Sequence, residues 1–245
     1  MESNIEEMNE KELYEMINAQ EGYGSLAFPS LMRKVYVWMA LALTITGFTA
    51  YGVSTSPAIL QAIATNSVLF WGIIIGELAL VLWISAGINR LSLTSATLLF
   101  VVYSVLNGVT MSFIFLVYTM TSVASVFFIT AGTFAVMAFI GYTTKKDLTS
   151  IGRLALMALI GIIIATIVNI FFTKSGTFDL ILSYLGVAVF VGLTAYDSQK
   201  IKRMLMMQED GGEQAQKVAL LGALSLYLDF INLFLYLLRI FGDRK

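Results

Sequence analysis

Apolar residues along this chain come in long unbroken runs. Seven stand out, near residues 35–53, 67–88, 91–117, 123–144, 154–172, 180–201 and 218–241. Each approaches or exceeds the ~20 residues a helix needs to cross a hydrocarbon layer. None alternates with period two, the mark of a membrane β-strand. The two prolines, Pro29 and Pro57, fall outside the runs. The pattern predicts an all-α integral membrane protein with seven transmembrane helices and short joints at 89–90 and 118–122.

Composition supports this and narrows the chemistry. The chain is 58% hydrophobic and 13% charged, against about 25% charged in soluble domains. Its solvent is therefore lipid. There is no cysteine, which excludes disulfides and thiolate chemistry. There is no histidine either, so the usual switch near neutral pH is missing, as are zinc–histidine and Ser-His-Asp sites. Proton chemistry falls to carboxylates, Tyr and Lys. A net charge of −1 gives no footprint for nucleic acid.

Residues 1–27 stand apart, with seven acidic residues (Glu2, Glu6, Glu7, Glu10, Glu12, Glu15 and Glu21) against Lys11. A signal peptide starts basic and turns apolar, so this segment reads instead as a solvated acidic cytoplasmic tail. Residues 28–245 form the membrane domain. Arg33, Lys34, Arg90, Lys145, Lys146, Arg153, Lys200, Lys202, Arg203 and Lys217 flank the spans on one side, against Lys174 on the other. The positive-inside rule then places the N-terminus in the cytoplasm. Seven spans send Arg239, Arg244 and Lys245 outward, against the rule; a re-entrant last segment is the alternative. Pairs of small residues four apart (Gly108-Ser112, Gly161-Ala165, Ala188-Gly192) read as close helix packing.

Three acids fall within spans: Glu77, Asp197 and Asp229. An Asp at the centre of a membrane helix costs ~2.5–3.5 kcal/mol on insertion scales, so these demand a reason. No lysine lies deep in a span, which excludes a retinal Schiff base. Gly222, Ser225, Asp229, Asn232 and Tyr236 are spaced 3, 4, 3 and 4, with Arg239 three further on. That spacing makes one helical stripe, which faces protein or water. The rows Tyr103-Asn107-Thr110 and Thr166-Asn169-Thr173 read as interhelical hydrogen-bond glue. Asp197 ends the sixth span in GLTAYDSQKIK, where it pairs with nearby lysines or comes level with Asp229. Two carboxylates that meet in a dry site share one proton, which would give a histidine-free chain a pH sensor. They are also hard oxygen ligands for Ca²⁺, if Asn232 or backbone carbonyls add further oxygens.

LMRKVYVWMALALTITG (31–47), AYDSQKIK (195–202) and ALSLYLDFINLFLYLLRIFG (223–242) together resemble the transmembrane Bax inhibitor motif family, in particular its bacterial branch. The resemblance implies six helices around a central C-terminal seventh and a pH-sensitive calcium leak across the inner membrane, with no cofactor. The family's paired aspartates map onto Asp197 and Asp229, and Glu77 matches an acid near the proposed pore. The family also has a gate arginine near the end of its second helix. Counted from Glu77 without a gap, that place is Ile88, and Arg90 follows two residues later as a possible substitute.

Other functional classes make different demands. An intramembrane aspartyl protease needs a Tyr-Asp pair, which Tyr196-Asp197 supplies. It also needs Gly-x-Gly-Asp, where this chain has Leu226-Tyr227-Leu228-Asp229, and a later proline motif, where no proline follows Pro57. A proton-coupled transporter needs buried acids but also repeats and broken helices. A non-transporting partner of membrane quality-control proteases would not need Asp197 and Asp229 for ion movement. The resemblance favours the non-enzymatic leak, with membrane lipid and calcium as the expected partners and a membrane protease or other membrane protein as a further candidate.

Overall fold

The computed structural model describes the backbone of residues 10–208 and 210–245, and the side chains from residue 27 onward, residue 209 excepted. Nine α-helices follow in order among these residues: α1 Glu10–Ser54, α2 Pro57–Thr65, α3 Ser67–Gly87, α4 Leu93–Met111, α5 Ile114–Val117, α6 Met120–Thr143, α7 Thr149–Val168, α8 Gly176–Met206 and α9 Glu213–Phe241. Seven stretches of 21 to 31 residues are long and apolar enough to cross a membrane, the first running Ala27–Ser54. This is the predicted set of spans. Polar side chains start several of them by accepting the unpaired N–H groups of the first turn. Asn66 accepts from Val68 and Leu69 (both 3.1 Å), Ser92 from Ser95 (3.1 Å) and Ser175 from Phe178 (3.3 Å). α7 ends in a π-helical turn, Asn169–Thr173, closed by Lys174 in a left-handed conformation. There Asn169 binds Ser175 and Asp179, so its glue works within the turn and not across the bundle.

α9 is the axis. Of its most apolar stretch 67% is buried, against 6% for α3 and 17% for α7. It packs on α8, α1, α6 and α4, while α3 leans mainly on α4 and α7 on α8. The helices thus gather round the C-terminal one as expected, with α3 and α7 as an outer layer. Leu226, Tyr227 and Leu233 are fully buried, with Phe100 and Tyr103 edge-on to Tyr227 at 5.8 and 5.7 Å. The outer surface carries exposed Phe48, Val68, Trp83, Phe128 and Leu154, as a surface wetted by lipid should.

The structure corrects several expectations. The backbone is helical from Glu10, so α1 begins within the segment read as a tail while its apolar span starts at Ala27, and Pro29 lies inside α1. Residues 1–9 of that tail lie outside the described residues. The short helices α2 and α5 occupy what the hydropathy pattern leaves as a loop and a span end. The last segment, for which a re-entrant path was the alternative, is one unbroken helix long and apolar enough to cross a membrane, and its end docks on the turn before α6. There the Thr119 N–H donates to the Asp243 carbonyl (3.1 Å), the Lys245 N–H to Val117 (2.9 Å), and the Asp243 N–H to the Ser122 hydroxyl (2.8 Å). The other end of α9 meets the α3–α4 turn, through Leu93 N–H to Glu213 (3.0 Å) and Gln214 to Asn89 (3.1 Å).

Of the small-residue pairs, Gly108 does pack: a Cβ there would stand 2.6 Å from Thr49 on α1. Gly161 does not, since a Cβ there meets nothing within 4 Å. The tightest approach is at Gly141, where a Cβ would run into the backbone of Ala195 on α8. Gly141→Leu is therefore expected to lose at least ~1–3 kcal/mol through overpacking. Gly161→Leu should stay within about 0.5 kcal/mol of wild type. Thermal unfolding of both variants in detergent checks the contrast.

Candidate functional site: the α8–α9 seam

The polar stripe of α9 lies against α8, which runs antiparallel to it after a short turn. Gly222 admits Ile201, and the Tyr236 ring lies over Gly186 and stacks on Phe190 at 5.9 Å. Arg239 covers the other face of the stripe's end, 5.6 Å from the Tyr236 ring. This register sets Asp197 opposite Ser225. Asp229 follows Ser225 by one turn on the same face of α9. Asp197 is near enough for its charge to act on Asp229.

Their surroundings differ. Asp197 is half-buried and lines a cavity of about 200 Å³, with Ser85 of α3, Lys200 of α8 and Ser225 of α9. Asp229 lies behind this wall, only 5% exposed, and its Oδ2 is buried without a hydrogen-bond partner. A buried carboxylate oxygen left unpaired is a costly feature that needs an explanation. The cation facing Asp197 is Lys200, one turn along α8, which does not close to an ion pair but also lies 5.9 Å from the Tyr196 ring. The i, i+3 spacing of Asp197 and Lys200 already points to that pairing in the sequence.

Arg90 is exposed in the turn after α3, and Ile88 is buried. Among the described residues Arg90 makes no ion pair. Asn232 turns back on its own helix, donating from Nδ2 to the Leu228 carbonyl at 2.8 Å. No three acidic side chains gather among the described residues, so the seam offers a passing cation two carboxylates at most.

Glu77 belongs to a second polar cluster. It accepts from Thr110 Oγ1 at 2.9 Å, beside Asn107, whose Oδ1 accepts from the Tyr227 hydroxyl at 3.0 Å. Thr46 of α1 completes the chain, 2.7 Å from that hydroxyl and 2.9 Å from the Ser104 carbonyl. The row read as glue therefore binds α4 to α3 and, through Tyr227, to α9 and α1. Tyr227 itself escaped sequence reasoning because it lies off the polar stripe. Outside the membrane, Asp147 accepts from the Thr149 hydroxyl (2.7 Å) and N–H (3.0 Å) and pairs with Arg203 (3.1 Å). The Thr149 bonds first, and Arg203 after them, hold its carboxyl below the usual range. Its contribution is present above the unfolded value and is lost only as pH falls through the folded one, so its charge is fixed across pH 6 to 8.

Tyr227→Phe would leave Asn107 and Thr46 short of a partner at the centre of the bundle. It is expected to cost about 0.6–1.7 kcal/mol, the range for interhelical hydrogen bonds in membranes, read as a lower unfolding midpoint.

The chain matches other proteins along most of its length. It is 50% identical over 215 residues to the inner membrane protein YbhL of Escherichia coli K12, covering 87% of this chain and 92% of that one. It is 46% identical over 226 residues to a Borreliella burgdorferi protein (92% and 97%). It is 43% identical over 217 residues to the Rickettsia prowazekii protein RP147 (87% and 89%). Residues 29–245 match the model of the family described as inhibitor of apoptosis-promoting Bax1. With seven spans, the last of them a central C-terminal helix that carries a buried aspartate, the chain belongs to that Bax inhibitor-like family of membrane proteins.

Proposed function

We propose that this protein is a calcium leak channel of the bacterial inner membrane, opened by protonation of Asp197 and Asp229. The observation that carries the reading is Asp229 itself: a carboxylate sealed at the core of the axial helix, with Oδ2 unpartnered and a second carboxylate as its charged neighbour. Interhelical glue does not require an ionisable group, whereas a proton-linked switch does. The inner-membrane setting agrees with the name of the Escherichia coli relative. The distribution of basic residues puts the N-terminus in the cytoplasm and the docked C-terminus outside.

In this mechanism the ionised pair holds the seam shut by attracting a cation across the cavity wall. Lys200 stands in that place, and Arg90, exposed in its turn, is the more distant candidate. Protonation weakens the attraction and frees α8 to shift on α9, so flux rises as pH falls. Calcium is the transported ion, with Glu77, held by Thr110, as the pore acid and Asn232 as a further oxygen along the stripe.

Calcium efflux from proteoliposomes across pH 6 to 8 tests this directly. Wild type is expected to leak faster at pH 6 than at pH 8. Asp197→Asn and Asp229→Asn should each abolish the pH dependence, with no further loss in the double variant. Asp147→Asn should keep the wild-type profile, because that carboxyl does not titrate in the range. Leakage no faster than from empty liposomes would sink the channel reading and bring the protease-partner reading forward; slower flux at low pH would reverse the sign of gating. For orientation, alkaline phosphatase fused after Lys245 is expected to be active, and the same fusion after Met207 inactive.

A further inference from the structure

Between α1 and α6 the wall of the bundle is open. Both helices pack on α8 and α9, but they make no extended contact with each other. The gap is a groove of about 510 Å³, lined on α1 by Met32, Arg33 and Tyr36 and on α6 by Ala135, Phe139 and Tyr142. It lies at the end of the bundle where α1 enters and α6 leaves the membrane. From Tyr142 to Phe134, its deepest lining residue on α6, eight residues span about 12 Å of helix. The groove therefore begins at the headgroup level and runs into the hydrocarbon.

Its two ends have different chemistry. The deep end is apolar, and Ala135 leaves room there where a larger side chain would fill it. Ala135 and Phe139 are exposed on its rim, so the groove opens sideways to lipid. The shallow end is cationic. Arg33 is exposed and forms no ion pair among the described residues, Lys34 follows it, and Lys202 lies 4.9 Å over the Tyr142 ring while donating to the Tyr142 carbonyl at 2.9 Å. Phe28 stacks on Tyr142 at 6.4 Å. Among the described residues no carboxylate lines the groove.

We propose that this groove is a binding site for an anionic phospholipid, with an acyl chain between α1 and α6 and the phosphate on Arg33. A cleft open to hydrocarbon is filled by lipid chains, since water finds no partners there. The headgroup choice follows from charge. A guanidinium binds phosphate through two parallel N–H groups, and basic pockets between transmembrane helices on the cytoplasmic side select acidic lipids. A zwitterionic headgroup would bring its own cation to a mouth where, among the described residues, no carboxylate stands to receive it.

The test uses the full chain in detergent, incubated with phosphatidylglycerol or phosphatidylcholine of matched chains, with retained lipid counted by native mass spectrometry. Wild type is expected to keep one phosphatidylglycerol and to prefer it over phosphatidylcholine by about fivefold, the scale of one basic residue at a lipid surface. Arg33→Gln should remove the preference, and Arg33→Lys should keep most of it. Ala135→Phe, at an exposed position where folding is not at stake, should displace both lipids by filling the groove. Equal retention of the two lipids by wild type would overturn the proposal. So would a preference unchanged in Arg33→Gln, or phosphatidylglycerol still bound to Ala135→Phe.

Discussion

In a bilayer an apolar side chain gains nothing by turning inward, because the lipid tails are as apolar as the core. Burial has to be organised by polar groups that lipid cannot satisfy and by close backbone contact. In this protein both converge on α9. Its polar stripe can be accommodated only against another helix, and α8 supplies the partner surface, with Gly186 beneath Tyr236 and Ile201 beneath Gly222. On the opposite side Tyr227 ties α9 to α4 and α1 through Asn107 and Thr46. α9 is thus fixed from two sides by bonds that have no substitute in hydrocarbon, and it becomes the axis for that reason.

The two polar regions on α9 have different characters. The Tyr227 cluster is satisfied at each of its members, which suits a joint that stays closed. The seam with α8 is unfinished: Asp229 Oδ2 has no partner, and Lys200 faces Asp197 without reaching an ion pair. A cavity of about 200 Å³ lies beside it. A switch needs an element with two arrangements close in energy, and unfinished bonding next to free volume meets that requirement better than a complete network would. Rigidity and incompleteness sit on opposite faces of one helix.

Much of this architecture is legible along the chain. The seven spans follow from run length, and the α9 stripe follows from 3-and-4 spacing, because polar residues in a membrane helix have to face protein. Asp197 and Asp229 are visible for the same reason. How the two meet is not, since it depends on how far α8 and α9 slide past each other, and that is decided by where glycines admit bulky side chains. Gly161 and Gly141 look alike in sequence, yet one faces open space and the other touches the Ala195 backbone.

The sequence by itself determined the number of spans, the helical class, the polar stripe and the pair of acids. Each of these is local, set by hydropathy and periodicity within one helix. Only the tertiary structure decided that α3 and α7 lie outside, that Arg90 stays exposed in its turn, and that α1 and α6 leave a groove between them. The physical reason is common to all three. Helices apolar on every side carry no periodic signal that separates a lipid-facing surface from a helix-facing one, so neighbours are chosen by shape and by a few polar contacts that no single helix encodes.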